Sequence, residues 1–198
     1  MSDFAFLDGK STDVAPRLLG CYLVRELDGQ RLVGKIVETE AYDQTDAASH
    51  SYRGRTPRTD VMFGPSGHVY VYFTYGMHYC MNVVCGPVGH GAAVLIRAIE
   101  PLEGENIMSS NRHGIMGPSL TNGPAKLCYA LGVDKTMNGH DLHKSPLQLV
   151  INPPVPAKSI VHTTRIGITK DAHRPWRFYL KDNLYVSSHR LENARKKA

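Results

Sequence analysis

Two carboxylates and a phenol recur at every second residue in the stretch Ile36-Val37-Glu38-Thr39-Glu40-Ala41-Tyr42. Side chains alternate between faces along an extended chain. Ile36, Glu38, Glu40 and Tyr42 are therefore expected on one face, and Lys35, Val37, Thr39 and Ala41 on the other. A charge on a strand with apolar neighbours is costly to bury unless it is paired or used. Two readings are open. Either Glu38 and Glu40 hold Arg or Lys partners on a half-solvated face, or one of them works on a substrate. A candidate partner lies further along, in Ala92-Ala93-Val94-Leu95-Ile96-Arg97-Ala98-Ile99. This run reads as a central strand covered on both faces. Its single charge, Arg97, must find an acid, and the Glu38/Glu40 face is the natural one.

A second alternating stretch, Val69-Tyr70-Val71-Tyr72-Phe73-Thr74-Tyr75-Gly76-Met77, places Tyr70, Tyr72 and Thr74 on one face. Gly76 permits the positive φ of a tight turn, so Tyr75-Gly76-Met77 is the tip of a hairpin returning over His78–Cys85. An apolar tip of this kind marks a contact, and on a basic protein it matches the wedge that nucleic-acid binders insert between base steps. Between the two stretches lies Asp43–Ser66, 24 residues rich in Arg, Thr, Gly and Pro. A connection that long is functional or disordered. It carries His50, Arg53, Arg55 and Arg58, which form either a solvated surface or a phosphate-contacting arm. Asn122-Gly123-Pro124-Ala125-Lys126 starts a helix capped by Asn122 and stopped by Gly132. Its amides with Lys126 form a candidate anion site, or else the helix simply packs Leu127, Cys128 and Leu131 into the core.

The elements that must position these groups follow from turn and cap signals. Ser11, Thr12 or Asp13 caps a short helix with Pro16 in its first turn, ending near Gly20. Cys21–Leu27 and Arg31–Tyr42 are strands joined by an Asp28-Gly29 turn. Pro101 ends the Arg97 strand, and Leu102–Ser110 is helical, followed by a loop over Asn111–Thr121. Further strands are expected at Leu147–Ile151, Thr163–Thr169 and Trp176–Leu180. The tail from about residue 190 is expected to be disordered. No repeats or low-complexity segments interrupt the chain.

Composition limits the partners. The chain has 198 residues, a formal charge of +5, 42% hydrophobic and 21% charged residues. That suits one domain with a sizeable core and a polyanionic partner. No apolar run is long enough to span a bilayer, and no secretory signal pattern opens the sequence. An intracellular protein is expected, in the cytoplasm or nucleoid of a bacterium or the nucleus of a eukaryote. Cys21, Cys80, Cys85 and Cys128 lack C-x-x-C spacing and read as reduced core thiols, implying neither disulfides nor zinc. Phosphate-cradling glycine loops, H-E-x-x-H, the H-x-E with P-C-x-x-C pattern and G-x-S-x-G are absent. A carboxylate, aromatic rings, a strand Arg, a loop His and an apolar tip remain. This inventory fits hydrolysis by one activated water, with no metal or cofactor.

The sequence resembles the alkyladenine (3-methyladenine) DNA glycosylase family. The resemblance rests on Val37-Glu38-Thr39-Glu40-Ala41-Tyr42, Ala48-Ser49-His50, Met62-Phe63, Tyr70-Val71-Tyr72 with Tyr75-Gly76-Met77, and Met81-Asn82. It continues through Leu95-Ile96-Arg97-Ala98 with Glu100-Pro101, Gly123-Pro124-Ala125-Lys126-Leu127 and Arg177-Phe178-Tyr179. These occur in family order over about four-fifths of the chain. The resemblance implies a single α/β domain of α+β type, a curved antiparallel sheet flanked by helices with a protruding hairpin. It implies a monomer that excises damaged purines from double-stranded DNA without lyase chemistry. By the same resemblance Glu40 matches the general base and Arg97 helps hold the water. Tyr42, His50 and Tyr72 wall the base pocket, and Asn82 crowds the 2-amino group of normal guanine. Tyr75, with Met77 beside it, fills the gap left in the duplex. Arg55, Arg58 and Lys126 are the expected DNA-backbone contacts. Asp43-Gln44-Thr45-Asp46, Phe73-Thr74 and His78-Tyr79 depart from the mammalian pattern. Two rivals predict different chemistry: a carbohydrate hydrolase using Glu38 and Glu40 as a pair, and a non-enzymatic minor-groove binder that bends DNA with the hairpin.

Overall fold

The computed structural model describes residues 4–74 and 76–187. Its strands are β1 (Tyr22–Leu27), β2 (Gln30–Asp43), β3 (Val69–Thr74), β4 (His78–Val84), β5 (Ala92–Glu103), β6 (Leu147–Val150), β7 (Ile160–Thr163) and β8 (Arg177–Leu180). Its helices are α1 (Ser11–Leu18), α2 (Glu105–Asn111) and α3 (Pro124–Ala130). The strands form one antiparallel sheet in the order β3-β4-β5-β2-β1-β6, with β8 joining β2 and β7 joining β8. The sheet does not close into a barrel, so the class is α+β.

β2 and β5 are the two long strands, and their pairing is the axis of the fold. β1 covers the first half of β2's other edge, while β8 pairs with Glu38, Thr39 and Glu40 in the second half. The β1–β2 turn has positive φ at both Asp28 and Gly29, as a twisted hairpin requires. The main core gathers Leu18, Leu23, Ile36, Ala41, Ile96, Ile99 and Leu127 among others, with α1, α2 and α3 supplying apolar faces. All four cysteines are buried and free.

Several expectations change in detail. The register of β2 against β5 slips around Val37 and again after Glu38. The inserted residue turns Ile36 into the main core with Ala41, away from the face of Glu38 and Glu40. Lys10, with no side-chain bond, occupies the cap position of α1, and Ser11–Asp13 form the first turn. Pro16 lies in the last turn and not the first, where it lacks the N–H that would donate to the Thr12 carbonyl. β5 continues past Pro101 to Glu103, because β4 pairs only with Ala93–Leu95 and no partner demands Pro101's N–H. Helix α2 accordingly begins at Glu105, three residues later than expected. Gly123, not Asn122, precedes α3. The 3-10 turn Gly117–Leu120 occupies part of the expected 111–121 loop. Only Thr163 of the expected Thr163–Thr169 strand is extended in β7, and 164–169 is loop.

Candidate active site

The two carboxylates of β2 have different surroundings. Glu38 is fully buried, and Oε1 accepts from Arg97 Nε (2.9 Å), Arg177 Nε (2.7 Å) and Ser187 Oγ (2.7 Å). Its Oε2 accepts from the Ser187 amide (2.7 Å). Three donors thus converge on Oε1 and one on Oε2, all from structural partners. Glu40 is also fully buried. Its Oε1 accepts from the Ile166 amide (2.8 Å) and lies 3.3 Å from Arg97 Nη1, and its Oε2 accepts from the Tyr42 hydroxyl (2.8 Å). Arg97 therefore bridges both acids, as the unpaired Arg in an apolar run required. Burial works against its charge, but Glu40 and Glu38 outweigh it and hold the guanidinium pKa above its ordinary value.

Tyr42 links Glu40 to a pocket of about 180 Å³. Tyr42, His50 and Tyr72, the expected walls, and Asn82, expected to crowd a 2-amino group, all line it, so the four residues meet in one place. The strands explain the convergence. Tyr72 and Asn82 come from β3 and β4, which pair through Tyr70↔Asn82 and Tyr72↔Cys80. Asn82 is oriented by its Nδ2–H donating to the Tyr70 carbonyl (3.0 Å). His50 opens a 3-10 turn, His50–Arg53, in the long connection after β2. Its ring meets Tyr72 edge-on, with centroids 4.5 Å apart at 81°, and its Nδ1 lies 3.0 Å from the Tyr70 hydroxyl.

The pocket lining is neutral. Burial, followed by the charge of Arg58, lowers the pKa of His50 to about 4, so the imidazole is uncharged at neutral pH. Burial is also the main reason that the phenols of Tyr42 and Tyr72 stay protonated well above the ordinary range. Glu40 adds to it for Tyr42, and Cys80 for Tyr72. Neutral aromatic faces attract a cationic, flat ligand without charge repulsion.

The remaining candidates are dispersed. Met77 is 60% exposed at the hairpin tip, where Gly76 takes φ 69°. Tyr75 lies outside the described residues. Thr74, the last residue of β3, lines the pocket, so the tip starts immediately beyond the pocket wall. Arg55 is exposed and paired with Asp60 (2.6 Å). Arg58 is exposed near His50 and Tyr70, on which its charge acts. Lys126 Nζ donates to Asn122 Oδ1 (2.6 Å), so both residues of the expected cap and anion site engage each other. Among the described residues, no group of three or more His, Cys, Asp or Glu is arranged to hold a metal ion. None of the described helices is long and apolar enough to cross a membrane.

Sequence reasoning missed the segment Arg165-Ile166-Gly167-Ile168. Gly167 and Ile168 line the pocket and Ile166 donates to Glu40. The signal was Gly167, which takes φ 77°: a glycine inside an apparent strand marks a break or a close backbone approach. Tyr70 and Met62 also line the pocket without having been assigned a role there. Among other missed partners, Asp46 pairs with Arg165, and Arg177 and Ser187 fix Glu38.

Comparison with known proteins gives one answer. Residues 5–184 match the family model described as methylpurine-DNA glycosylase. A relative in Carboxydothermus hydrogenoformans is 57% identical over 175 residues, covering 88% of this chain and 92% of its own length. Another in Methanoculleus marisnigri is 50% identical over 186 residues, covering 92% and 96%, and one in Francisella tularensis is 47% identical with the same coverage. All three carry the provisional name 3-methyladenine DNA glycosylase. With a model covering most of its length and relatives this similar end to end, the chain belongs to the methylpurine-DNA glycosylase family of DNA-repair hydrolases.

Proposed function

We propose that this protein is a monomeric, monofunctional glycosylase that turns alkylated purines out of duplex DNA into the Tyr42/His50/Tyr72 pocket. There it hydrolyses the glycosidic bond with a water activated by Glu40. One observation carries the reading: a fully buried carboxylate, hydrogen-bonded to the pocket-wall tyrosine and paired with Arg97, adjoins a neutral aromatic pocket. Glu40 is itself fully buried and reaches the cleft through Tyr42, whose hydroxyl is the one donor on its Oε2 among the described residues. Glu38, closed off by two arginines and Ser187, cannot be its partner across a sugar, which removes the two-carboxylate carbohydrate reading.

The chemistry follows. N-alkylation makes the purine cationic, and the stacking of a base on aromatic side chains is worth about 1–3 kcal/mol. Water adds to the anomeric carbon as Glu40 takes its proton. The C1′–N bond breaks with its electron pair leaving on the base, which departs neutral. Arg97 orients Glu40 and the water. Asn82, fixed by its bond to the Tyr70 carbonyl, limits room for a 2-amino group. Tyr75 and Met77 occupy the vacated stack, offsetting part of the unstacking cost of a few kcal/mol. Arg55, Arg58 and Lys126 contact phosphates. An enzyme acting on nuclear or nucleoid DNA works inside the cell, which agrees with the basic charge.

The test is Glu40→Gln in a single-turnover assay on duplexes carrying 3-methyladenine. Base release should fall by about 10²–10⁴-fold, the range for loss of a general base, with DNA binding retained. Excision by Glu40→Gln at the wild-type rate would overturn the role of Glu40, whereas DNA binding with no base release even by the wild type would leave the DNA-bending rival.

A further inference from the structure

Against the ring of Tyr42, outside the pocket lining, lies a second buried ion pair that the chemistry above does not use. The side chains of Arg165 and Asp46 are both 0% exposed. Arg165 forks onto Asp46: Nη2 donates to Oδ1 (2.9 Å) and Nη1 to Oδ2. Nη1 also donates to the Ala41 carbonyl (3.0 Å), one residue before Tyr42. The guanidinium carbon lies 4.6 Å from the centre of the Tyr42 ring and 5.2 Å from that of Trp176.

Three features separate this pair from an ordinary structural one. It joins two segments that both line the pocket, the one leading from Asp46 to His50 and the one leading from Arg165 to Ile168. Arg165 directly precedes Ile166, whose amide holds Glu40. Third, Arg165 Nε is buried without a hydrogen-bond partner among the described residues, while the guanidinium plane is kept against Tyr42. A buried unsatisfied donor is rare and needs a reason, and real proteins break such local rules at functional sites. An isosteric contact that only packed the core would not require a charge, a fork and a stack at one point.

We infer that Arg165, locked by Asp46, is a positioning residue. It fixes the plane of the Tyr42 ring and sets the Ile166 amide on Glu40, so that ring, carboxylate and pocket hold one geometry when the base arrives. The inference rests on the reading of Glu40 and Tyr42 given above. Arg165 does not touch the base or the water. Lysine cannot replace it, because a point charge makes neither the bidentate contact nor the planar stack.

The test compares wild type, Arg165→Lys and Asp46→Asn, with Glu40→Gln as the reference, in single-turnover base release from a duplex carrying 3-methyladenine. Three quantities are read: the rate constant at saturating enzyme, the enzyme concentration at half-maximal rate, and the fraction of active protein from the reaction amplitude. Arg165→Lys and Asp46→Asn should each lower the rate constant by about ten- to a hundredfold, as a misplacement near 1 Å does. Half-saturation should stay within about threefold and the amplitude, per folded protein, should be unchanged. A pair that only holds the fold would lower the amplitude and leave the rate constant of the surviving fraction at wild type, which overturns the inference. So does a rate constant unchanged in Asp46→Asn, the near-isosteric variant that carries the test if Arg165→Lys does not fold. Wild-type excision by Glu40→Gln would strike the underlying reading instead, and is distinguishable because that variant leaves Arg165 and Asp46 intact.

Discussion

At the scale of single residues, two glutamates of the same strand and face illustrate how partners decide a role. Glu38 is a hub: two arginine Nε groups, a serine hydroxyl and an amide converge on it. Removing one member of a buried charge network leaves the others desolvated and unpaired, at a cost of about 3–5 kcal/mol. Glu38→Gln is therefore expected to lower the unfolding free energy by that amount, read as a lower urea midpoint with the slope unchanged. Any activity it loses should follow the folded fraction. Glu40→Gln, by contrast, should remove chemistry from a folded protein. Side-chain types alone made these residues equivalent; only the count of donors around each separates them.

Among the elements, the connection between β2 and β3 does the most for the site. It brings His50 to the pocket through two 3-10 turns, and its second turn, Asp60–Phe63, adds Met62 to the lining. The connection is anchored at Gly91, just before β5. The Ser51 hydroxyl donates to the Gly91 carbonyl (2.7 Å), and the Gly91 amide donates to Gln44 Oε1 (2.8 Å). A Cβ at Gly91 would come within 2.6 Å of Phe63 Cζ and 2.7 Å of Ser51 Cβ. Gly91→Ala is thus expected to destabilise by about 1–3 kcal/mol through overpacking. Because Ser51 follows His50 directly, base release should weaken as well, checked by a denaturant titration beside a single-turnover assay. The length and composition of Asp43–Ser66 marked it as more than a connector, but its anchor is a glycine far along the chain, which no local pattern signals.

For the whole molecule, charge linkage sets an acid limit. His50 has a folded pKa of about 4 against an ordinary value of 6.5, so the unfolded chain binds more protons between those values. Stability therefore falls as pH drops from 6.5 towards 4. Several carboxylates are depressed too. Burial opposes this for Asp43 and Asp141, but hydrogen bonds from His90 and Thr45 to Asp43, and from His143 and Lys144 to Asp141, prevail. Their contribution is present above the ordinary carboxylate range and is lost as pH falls below it. Both effects have the same sign. The thermal midpoint should decline below pH 6.5 and more steeply below 4, and His50→Gln should flatten the first part of that curve. An equal slope in wild type and variant between pH 6.5 and 4 would remove His50 from the linkage.

The residues that line the pocket were named only by the family resemblance, whereas the chain by itself determined the long strands, the hairpin and the pairing of Arg97 with the β2 acids. Those features come from alternation, turn chemistry and the cost of an unpaired charge in an apolar run, all local or nearly so. Only the tertiary structure decided that Glu38 is closed off while Glu40 is bonded to the pocket wall through Tyr42, that a bulge at Val37 returns Ile36 to the core, and that Arg165 stacks on Tyr42. Each of these depends on groups more than a hundred residues apart in the chain meeting in space, or on a one-residue slip between strands. Sequence spacing carries no record of either, because long-range contacts are selected by the packing of the whole sheet.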